Sequence, residues 1–180
     1  MNALLTVLAI VTAIVVLLLV IALFIKKEYS VTREIIIAQP KQKVFDFIKY
    51  LRNQDNFSKW ATMDPDMIKE YRGTDGTPGF VSTWDSNMKN VGKGEQEIIK
   101  ITDGEQVDFS IHFIKPFEGL AMAYMQTTAE SENRTRVTWS FKSSMKYPMN
   151  LMLLFMNMEK MIGNDLQLGL NNLKSQLEKA

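Results

Sequence analysis

The C-terminal stretch Pro148–Lys179 constrains the fold of this chain more than any other feature of its sequence. Its apolar residues recur at spacings of three and four, and this periodicity predicts one long helix. One row contains Met145, Met149, Met152, Met156, Glu159, Gly163, Leu166, Leu170, Leu173 and Leu177, and a second contains Leu151, Leu154, Phe155, Met158 and Ile162. Because two adjacent rows are apolar, another element must cover this helix.

The residues before the helix predict an antiparallel sheet that can provide this cover. Apolar and polar residues alternate in several short segments, which is typical of half-buried strands. The predicted strands are Glu28–Ala38, Met67–Arg72, Phe80–Asp85, Gly92–Ile101, Gln106–Ile114, Leu120–Ala129 and Thr135–Ser143. Two short helices, Pro40–Tyr50 and Asn53–Trp60, follow the first strand. Since a sheet with one apolar face must bury that face, we expect an α+β fold in which a curved antiparallel sheet of about seven strands wraps around the long helix.

The N-terminal segment Ala3–Ile25 is uncharged and almost entirely apolar. As a helix it would extend about 34 Å, enough to cross a bilayer core of about 30 Å. A secretory signal peptide is the alternative, but the apolar core is too long and Met1-Asn2 has no basic side chain. We expect residues 1–27 to be a single-pass anchor in the cell (inner) membrane. Lys26 and Lys27 then place the second domain, residues 28–180, on the cytoplasmic side.

The composition excludes several classes of function. The chain has no cysteine, so thiolate metal sites, disulfides and cysteine nucleophiles are excluded. It has one histidine, which leaves little room for a histidine-based metal site or triad. Lys and Arg total 21 against 20 for Asp and Glu, which argues against nucleic acid as the main partner. We expect no metal and no cofactor.

Several short motifs, in their order along the chain, resemble a known family. They are Arg33-Glu34-Ile35, Pro40 followed by Val44, Phe45, Phe47 and Ile48, Trp60 with Asp64-Pro65, Gly76–Trp84, Val91–Ile98, and Gly169-Leu170 followed by Leu173-Lys174. From Tyr29 to Lys179 the chain is similar to the START-like, Bet v 1-like (SRPBCC) superfamily, in particular its bacterial polyketide cyclase/dehydrase branch. The resemblance implies the helix-grip fold, with a cavity for apolar small molecules between sheet and helix. It does not imply catalysis, because the family includes lipid carriers and hormone receptors as well as cyclases.

The candidate cavity residues are apolar and aromatic side chains of the sheet and methionine-rich residues of the helix. They are Trp84, Phe109, Ile111, Phe113, Tyr124, Trp139, Phe141, Met152, Phe155, Met156 and Glu159. Methionine is flexible, so the cluster as a whole suits an adaptable cavity wall, although any single Met is more simply explained as core filling. The stretch Leu151–Met156 is apolar on all sides, so it is buried all round, touches lipid or forms the cavity mouth.

Glu159 is the one acidic residue in the apolar rows, and it allows two interpretations. It could bind a ligand or act as an acid or base, since a buried carboxylate must be paired or protonated. Alternatively the apolar row drifts around the helix, so that Glu159 lies at an edge and pairs with a Lys or Arg. His112 alternates out of phase with Phe113, so we expect it to face away from the cavity.

Three functional hypotheses follow from these observations. The first is a membrane-anchored, non-catalytic protein that binds a lipid or other apolar small molecule. The second is a cyclase- or dehydrase-like enzyme that acts on a polyketide-like substrate through Glu159 and a tyrosine such as Tyr124. The third is a protein-interaction module with no used pocket. The expected partners are an apolar small molecule and, through residues 3–25, the membrane.

Overall fold

A single sheet dominates the computed structural model, which describes residues 2–179. Across this range seven antiparallel strands pair in the order β1-β7-β6-β5-β4-β3-β2. They are β1 (Glu28–Ile37), β2 (Ile68–Arg72), β3 (Val81–Asp85), β4 (Lys93–Thr102), β5 (Gln106–Lys115), β6 (Gly119–Ser131) and β7 (Arg134–Ser144). The strands predicted from the sequence are confirmed, and their ends agree to within two residues.

The strand register brings several chain segments to one end of the sheet. Strand β1 pairs with β7 from Glu28↔Ser144 to Ile37↔Thr135. Because neighbouring strands are antiparallel, the start of β6, the end of β5, the start of β4 and the end of β3 lie at the same end of the sheet as the start of β1. We refer to this edge, where β1 begins, as the Glu28 end of the sheet.

Helices complete the architecture. They are α1 (Ala3–Phe24), α2 (Lys41–Ile48), α3 (Lys59–Thr62) and α4 (Met158–Lys179), with short 3-10 helices at Leu51–Asn56 and Met149–Leu154. Helix α4 buries Gly163, Leu166, Gly169, Leu170, Leu173 and Leu177 against the concave face of the sheet. The leucine row therefore forms the covered face, and the α+β helix-grip fold predicted from the sequence is confirmed.

The prediction of one helix across Pro148–Lys179 is wrong in its first third, because α4 begins at Met158. Two asparagine side chains explain the break. Asn150 donates from Nδ2 to the carbonyl oxygens of Ala22 (2.7 Å) and Ile25 (3.2 Å), which holds the Met149–Leu154 helix on the end of α1. Asn157 accepts from the backbone N–H of Lys160 at 2.9 Å, a bond that caps the start of a new helix.

The core lies between the concave face of the sheet, α2 and α4. Phe45, Phe57, Phe80 and Phe109 are among its fully buried side chains. The helix and the sheet approach each other closely at Gly169, where an added Cβ would lie 2.7 Å from a ring carbon of Trp139. The absence of a side chain at this position therefore lets a large indole pack directly under α4.

Helix α1 stands apart from this core. Its 22 residues have a mean hydropathy of 3.4 in the most apolar window, and Ala22 is its one buried residue within the described chain. By length and composition it is sufficient to cross a membrane.

Candidate ligand cavity

A cavity of about 420 Å³ lies between the sheet, α3 and the first turns of α4. Its location follows from the late start of α4. Glu159 in the first turn of α4 contacts Arg33, and Glu178 near its end contacts Ala38. The helix therefore covers the sheet only from the level of Arg33 onward, and the cavity remains towards the Glu28 end. Its volume falls within the usual range of small-molecule sites, about 300–1,000 Å³.

Aromatic side chains are the largest residues of the cavity wall. The wall includes Tyr29, Trp60, Trp84, Phe113, Trp139 and Phe141. The ring of Trp139 packs edge-on against Trp60, with centroids 6.4 Å apart, and Phe113 packs edge-on against Trp84 at 6.1 Å. Such edge-to-face pairs favour a fixed ring arrangement. Burial also raises the pKa of the Tyr29 phenol, so this part of the wall stays uncharged at neutral pH.

One side of the cavity is polar, but its charged groups are already paired. Lys69 donates from Nζ to Asp55 Oδ1 and to the carbonyl oxygen of Ala61, both at 2.9 Å. The hydroxyl of Tyr71 donates to the second oxygen of Asp55. Burial, together with this carboxylate, raises the pKa of Tyr71 to about 12. The cluster is therefore a neutralised polar wall.

Gln54 is the polar wall residue that lacks part of its hydrogen bonding. It is only 6% exposed, and its Nε2 has no partner among residues 2–179. An unpaired buried amide costs about 1–3 kcal/mol, so this residue offers a hydrogen bond to a polar atom of a bound molecule.

The mouth of the cavity lies at the Glu28 end of the sheet. Exposed wall residues Lys115–Glu118, between β5 and β6, form part of its border. Ser144 and Met145, at the end of β7, and Asn90, after β3, also border the cavity. All of these residues lie at or next to strand ends at the Glu28 end of the sheet. The cavity therefore opens at this end and is closed towards the core.

The structure brings five of the eleven candidate residues together in the cavity wall: Trp84, Ile111, Phe113, Trp139 and Phe141. Phe109 is on the same face of β5 but is fully buried in the core, one layer deeper. The other five lie outside the cavity: Tyr124, Met152, Phe155, Met156 and Glu159. Met152, Phe155 and Met156 are outside because the segment that carries them turns towards α1 instead of extending α4.

Tyr124 lies on the outer face of the sheet. It pairs across the strands with Asp108 and Ser140, whereas its neighbour Ala123 lines the cavity. The outer face has a groove of about 600 Å³ around Tyr124, larger than the inner cavity but lined mainly by polar side chains. We take the inner cavity as the candidate site because it lies between the sheet and the helices and has several aromatic side chains in its wall.

Glu159 lies at the edge of the apolar row and pairs with an arginine, as the second of the two interpretations of the sequence predicted. Its carboxylate accepts from Arg33 at 2.6 Å, and its side chain is 63% exposed. The guanidinium of Arg33 also donates to the backbone oxygen of Glu159 at 3.1 Å, in the space left open by Gly163. His112 lies between Glu95 (3.8 Å) and Glu118 (3.6 Å) and is not part of the cavity wall.

Some wall residues were not among the candidates from the sequence. Tyr29 and Trp60 are aromatic residues near strand or helix ends, and their size was the one signal available. The sequence contains no comparable signal for Gln54 and Lys69. Gln54 lies on a 3-10 helix and Lys69 on strand β2, and both join the wall only in the folded structure. Within residues 2–179, no group of three or more His, Asp or Glu side chains could hold a metal ion.

The fold and the cavity define a class: helix-grip proteins with an internal site for a small molecule. The family model described as "Polyketide cyclase / dehydrase and lipid transport" matches residues 28–178, and the chain belongs to this family. This agrees with the resemblance seen in the sequence. A comparison with curated protein sequences finds no match.

Solved structures share the fold at low sequence identity. Norcoclaurine synthase from Thalictrum flavum, in complex with dopamine and hydroxybenzaldehyde, has a TM-score of 0.64 and 8% identity, covering 84% of this chain and 87% of that chain. The structure of Ara h 8.0201 has a TM-score of 0.57 and 12% identity, covering 85% of this chain and 99% of that chain. A protein from Thermobifida fusca has a TM-score of 0.56 and 15% identity, covering 83% and 93%.

Proposed function

We propose that this protein is a membrane-anchored binding protein that holds a lipid or another apolar small molecule in the cavity without transforming it. The observation that carries the proposal is the cavity of about 420 Å³ with aromatic side chains in its wall. Burying apolar ligand surface there is favourable by about 25 cal/mol per Å², and Gln54 provides one polar contact that orients the ligand. Membership of a family described by cyclases, dehydrases and lipid transport supports a ligand of this chemistry.

The anchor is the second part of the proposal. Helix α1 is long and apolar enough to cross a bilayer, and it is exposed along nearly its whole length. We propose that residues 1–27 anchor the protein in the cell membrane and that residues 28–180 form a cytoplasmic binding domain. Lys26 and Lys27 at the end of the helix support this orientation.

The positions and the pairing of the acidic and basic groups favour a binding role over catalysis. Glu159 and Tyr124, the residues expected to act in an enzyme, lie outside the cavity. Asp55 lines the cavity, but Lys69 and Tyr71 already occupy its two oxygens. None of the groups in that cluster is free to act as an acid or base, because each is already hydrogen-bonded.

Solvent extraction of the purified full-length protein, followed by mass spectrometry, tests this proposal. Ala123 lines the cavity on β6, so Ala123→Leu should fill part of it. Ala129 lies exposed further along the same strand, and Ala129→Leu is the matched control. We expect a recurrent apolar molecule in extracts of the unmodified protein and of Ala129→Leu, and much less of it in Ala123→Leu. Equal amounts in both variants, or no apolar molecule in any extract, would contradict the proposal.

A further inference from the structure

The 3-10 segment Met149–Leu154 is fastened to the end of α1. The side chain of Asn150 is fully buried, and both of its Nδ2 bonds go to carbonyl oxygens in the last turn of α1 or just after it. These carbonyls have no partner within the helix, because a helix leaves its last four unpaired. The backbone N–H of Met145 also donates to the carbonyl oxygen of Lys27 at 2.8 Å. The segment and the end of α1 are therefore held together by hydrogen bonds as well as by the chain.

This segment presents apolar side chains to the outside. We define the docking surface as its exposed residues Met149, Met152 and Leu154, together with Phe155, which directly follows it. Phe155 is 82% exposed and Leu154 is 58% exposed. Phe24, at the end of α1, is also exposed. Soluble proteins rarely expose such a group of large apolar side chains unless it contacts a partner or a membrane.

Basic residues flank the docking surface. Lys26 and Lys27 precede β1, Lys146 precedes the segment and Lys160 follows it. All four are exposed, and none forms an ion pair in the part of the chain that the structure describes. Lysines around an apolar surface match the anionic headgroups that surround the acyl chains of a bilayer.

The cavity mouth lies next to this surface. The chain leaves the cavity wall at Met145 and returns to it at Ile162, so the docking surface is carried by the stretch between two wall residues. The mouth is at the Glu28 end of the sheet, and Glu28 follows the end of α1 by four residues. Phe117, which borders the mouth on the β5–β6 loop, is also exposed.

We propose that the docking surface inserts into the headgroup region of the bilayer and holds the cavity mouth against it, so that the ligand passes between lipid and cavity without crossing water. This inference rests on the proposed anchoring of α1 in the same bilayer. A lipid surface is the binding partner that accounts for three features together: the hydrogen bonds that join this surface to the apolar helix α1, its apolar centre and the lysines around it. A second copy of the chain or another protein would not require the connection to α1.

Site-directed labelling of the full-length protein tests the proposal. Because the chain has no cysteine, each introduced cysteine is a unique labelling site. Phe155→Cys is labelled with an environment-sensitive fluorophore and reconstituted into vesicles of phosphatidylcholine and phosphatidylglycerol. The matched control is Leu168→Cys on α4. Leu168 is also apolar and exposed, at 45%, and lies about 15 Å along the helix from its start.

We expect a lipid that carries a nitroxide near its headgroup to quench most of the fluorescence at position 155 and none at position 168. Aqueous iodide should quench only at position 168. Quenching at position 155 by iodide alone would place the docking surface in water and overturn the proposal. Protection from both quenchers would show that protein covers it, which would also overturn the proposal. The measurement involves no ligand, so lipid contact at position 155 together with an empty cavity would refute the proposed binding function and leave the docking surface standing.

Discussion

Truncating two leucines of α4 should have different energetic costs if the cavity exists as described. Leu166 and Leu170 are adjacent members of the same buried row, but Leu166 lines the cavity and Leu170 does not. Replacing a buried leucine by alanine costs about 2.7–5.0 kcal/mol, and the spread reflects the void left behind, at about 24 cal/mol per Å³. Leu170 is enclosed on all sides, so Leu170→Ala should cost about 4–5 kcal/mol. Leu166 is itself only 1% exposed but lies against the cavity, so the space vacated in Leu166→Ala joins the cavity instead of forming a closed void, and the cost should be only about 2–3 kcal/mol.

Thermal unfolding of the full-length protein in detergent, followed by near-ultraviolet circular dichroism, measures this difference. For a chain of this size, 1 kcal/mol corresponds to about 3 °C, so the two melting temperatures should differ by about 6 °C, with Leu170→Ala the lower. Equal losses would mean that Leu166 is packed as tightly as Leu170, and would refute the placement of the cavity. The bound molecule provides a second readout: its retention should change in Leu166→Ala and not in Leu170→Ala.

Three further predictions concern the contacts around the site. Gly163→Ala should displace the Arg33 guanidinium. The loss of stability in thermal unfolding should be about 1 kcal/mol, because the ion pair that is broken is exposed. Gly119→Ala is the control and should cost much less, because a Cβ added there meets no atom within 4 Å in residues 2–179. Asn150→Ala should leave the carbonyls of Ala22 and Ile25 unpaired and lower the stability by about 1–3 kcal/mol. Trypsin cleavage of the 146–160 stretch should increase. Unchanged cleavage would argue that these bonds do not hold the segment on α1. The raised pKa of Tyr71, about 12, means that the stability it provides is complete below pH 10 and is lost as the pH rises through 12. Tyr71→Phe should remove a tyrosinate step at about pH 12, followed at 295 nm, and persistence of that step would contradict the assignment.

The sheet and the covered face of α4 were predictable because their signals are periodic. Alternation located each strand to within two residues, and the spacing of Leu166, Leu170, Leu173 and Leu177 identified the buried face of the helix. In-phase aromatic residues such as Trp139 also lie on the face that forms the cavity wall, since side chains of one strand face must share one side of the sheet.

The break before α4 was not predictable from periodicity. The methionines of residues 145–156 continue the same spacing as the leucines, so the apolar pattern is equally compatible with one helix or two. The choice depends on the side-chain bonds of Asn150 and Asn157, and Asn150 bonds residues more than 120 positions away. The polar wall was not predictable because Asp55, on a 3-10 helix, and Lys69, on β2, are brought into contact by the tertiary structure and no local pattern pairs them. Tyr124 was misplaced because β6 carries apolar residues on both faces, which weakens its alternation.

Native mass spectrometry of the full-length protein, released from mild detergent, tests the central claim most directly. The cavity of about 420 Å³ has room for one small apolar molecule, so we predict a species that exceeds the chain mass by a single recurrent increment. The increment should be reduced or absent in Ala123→Leu and present in Ala129→Leu. A spectrum that shows only the mass of the bare chain, or an increment that persists unchanged in Ala123→Leu, would contradict the account.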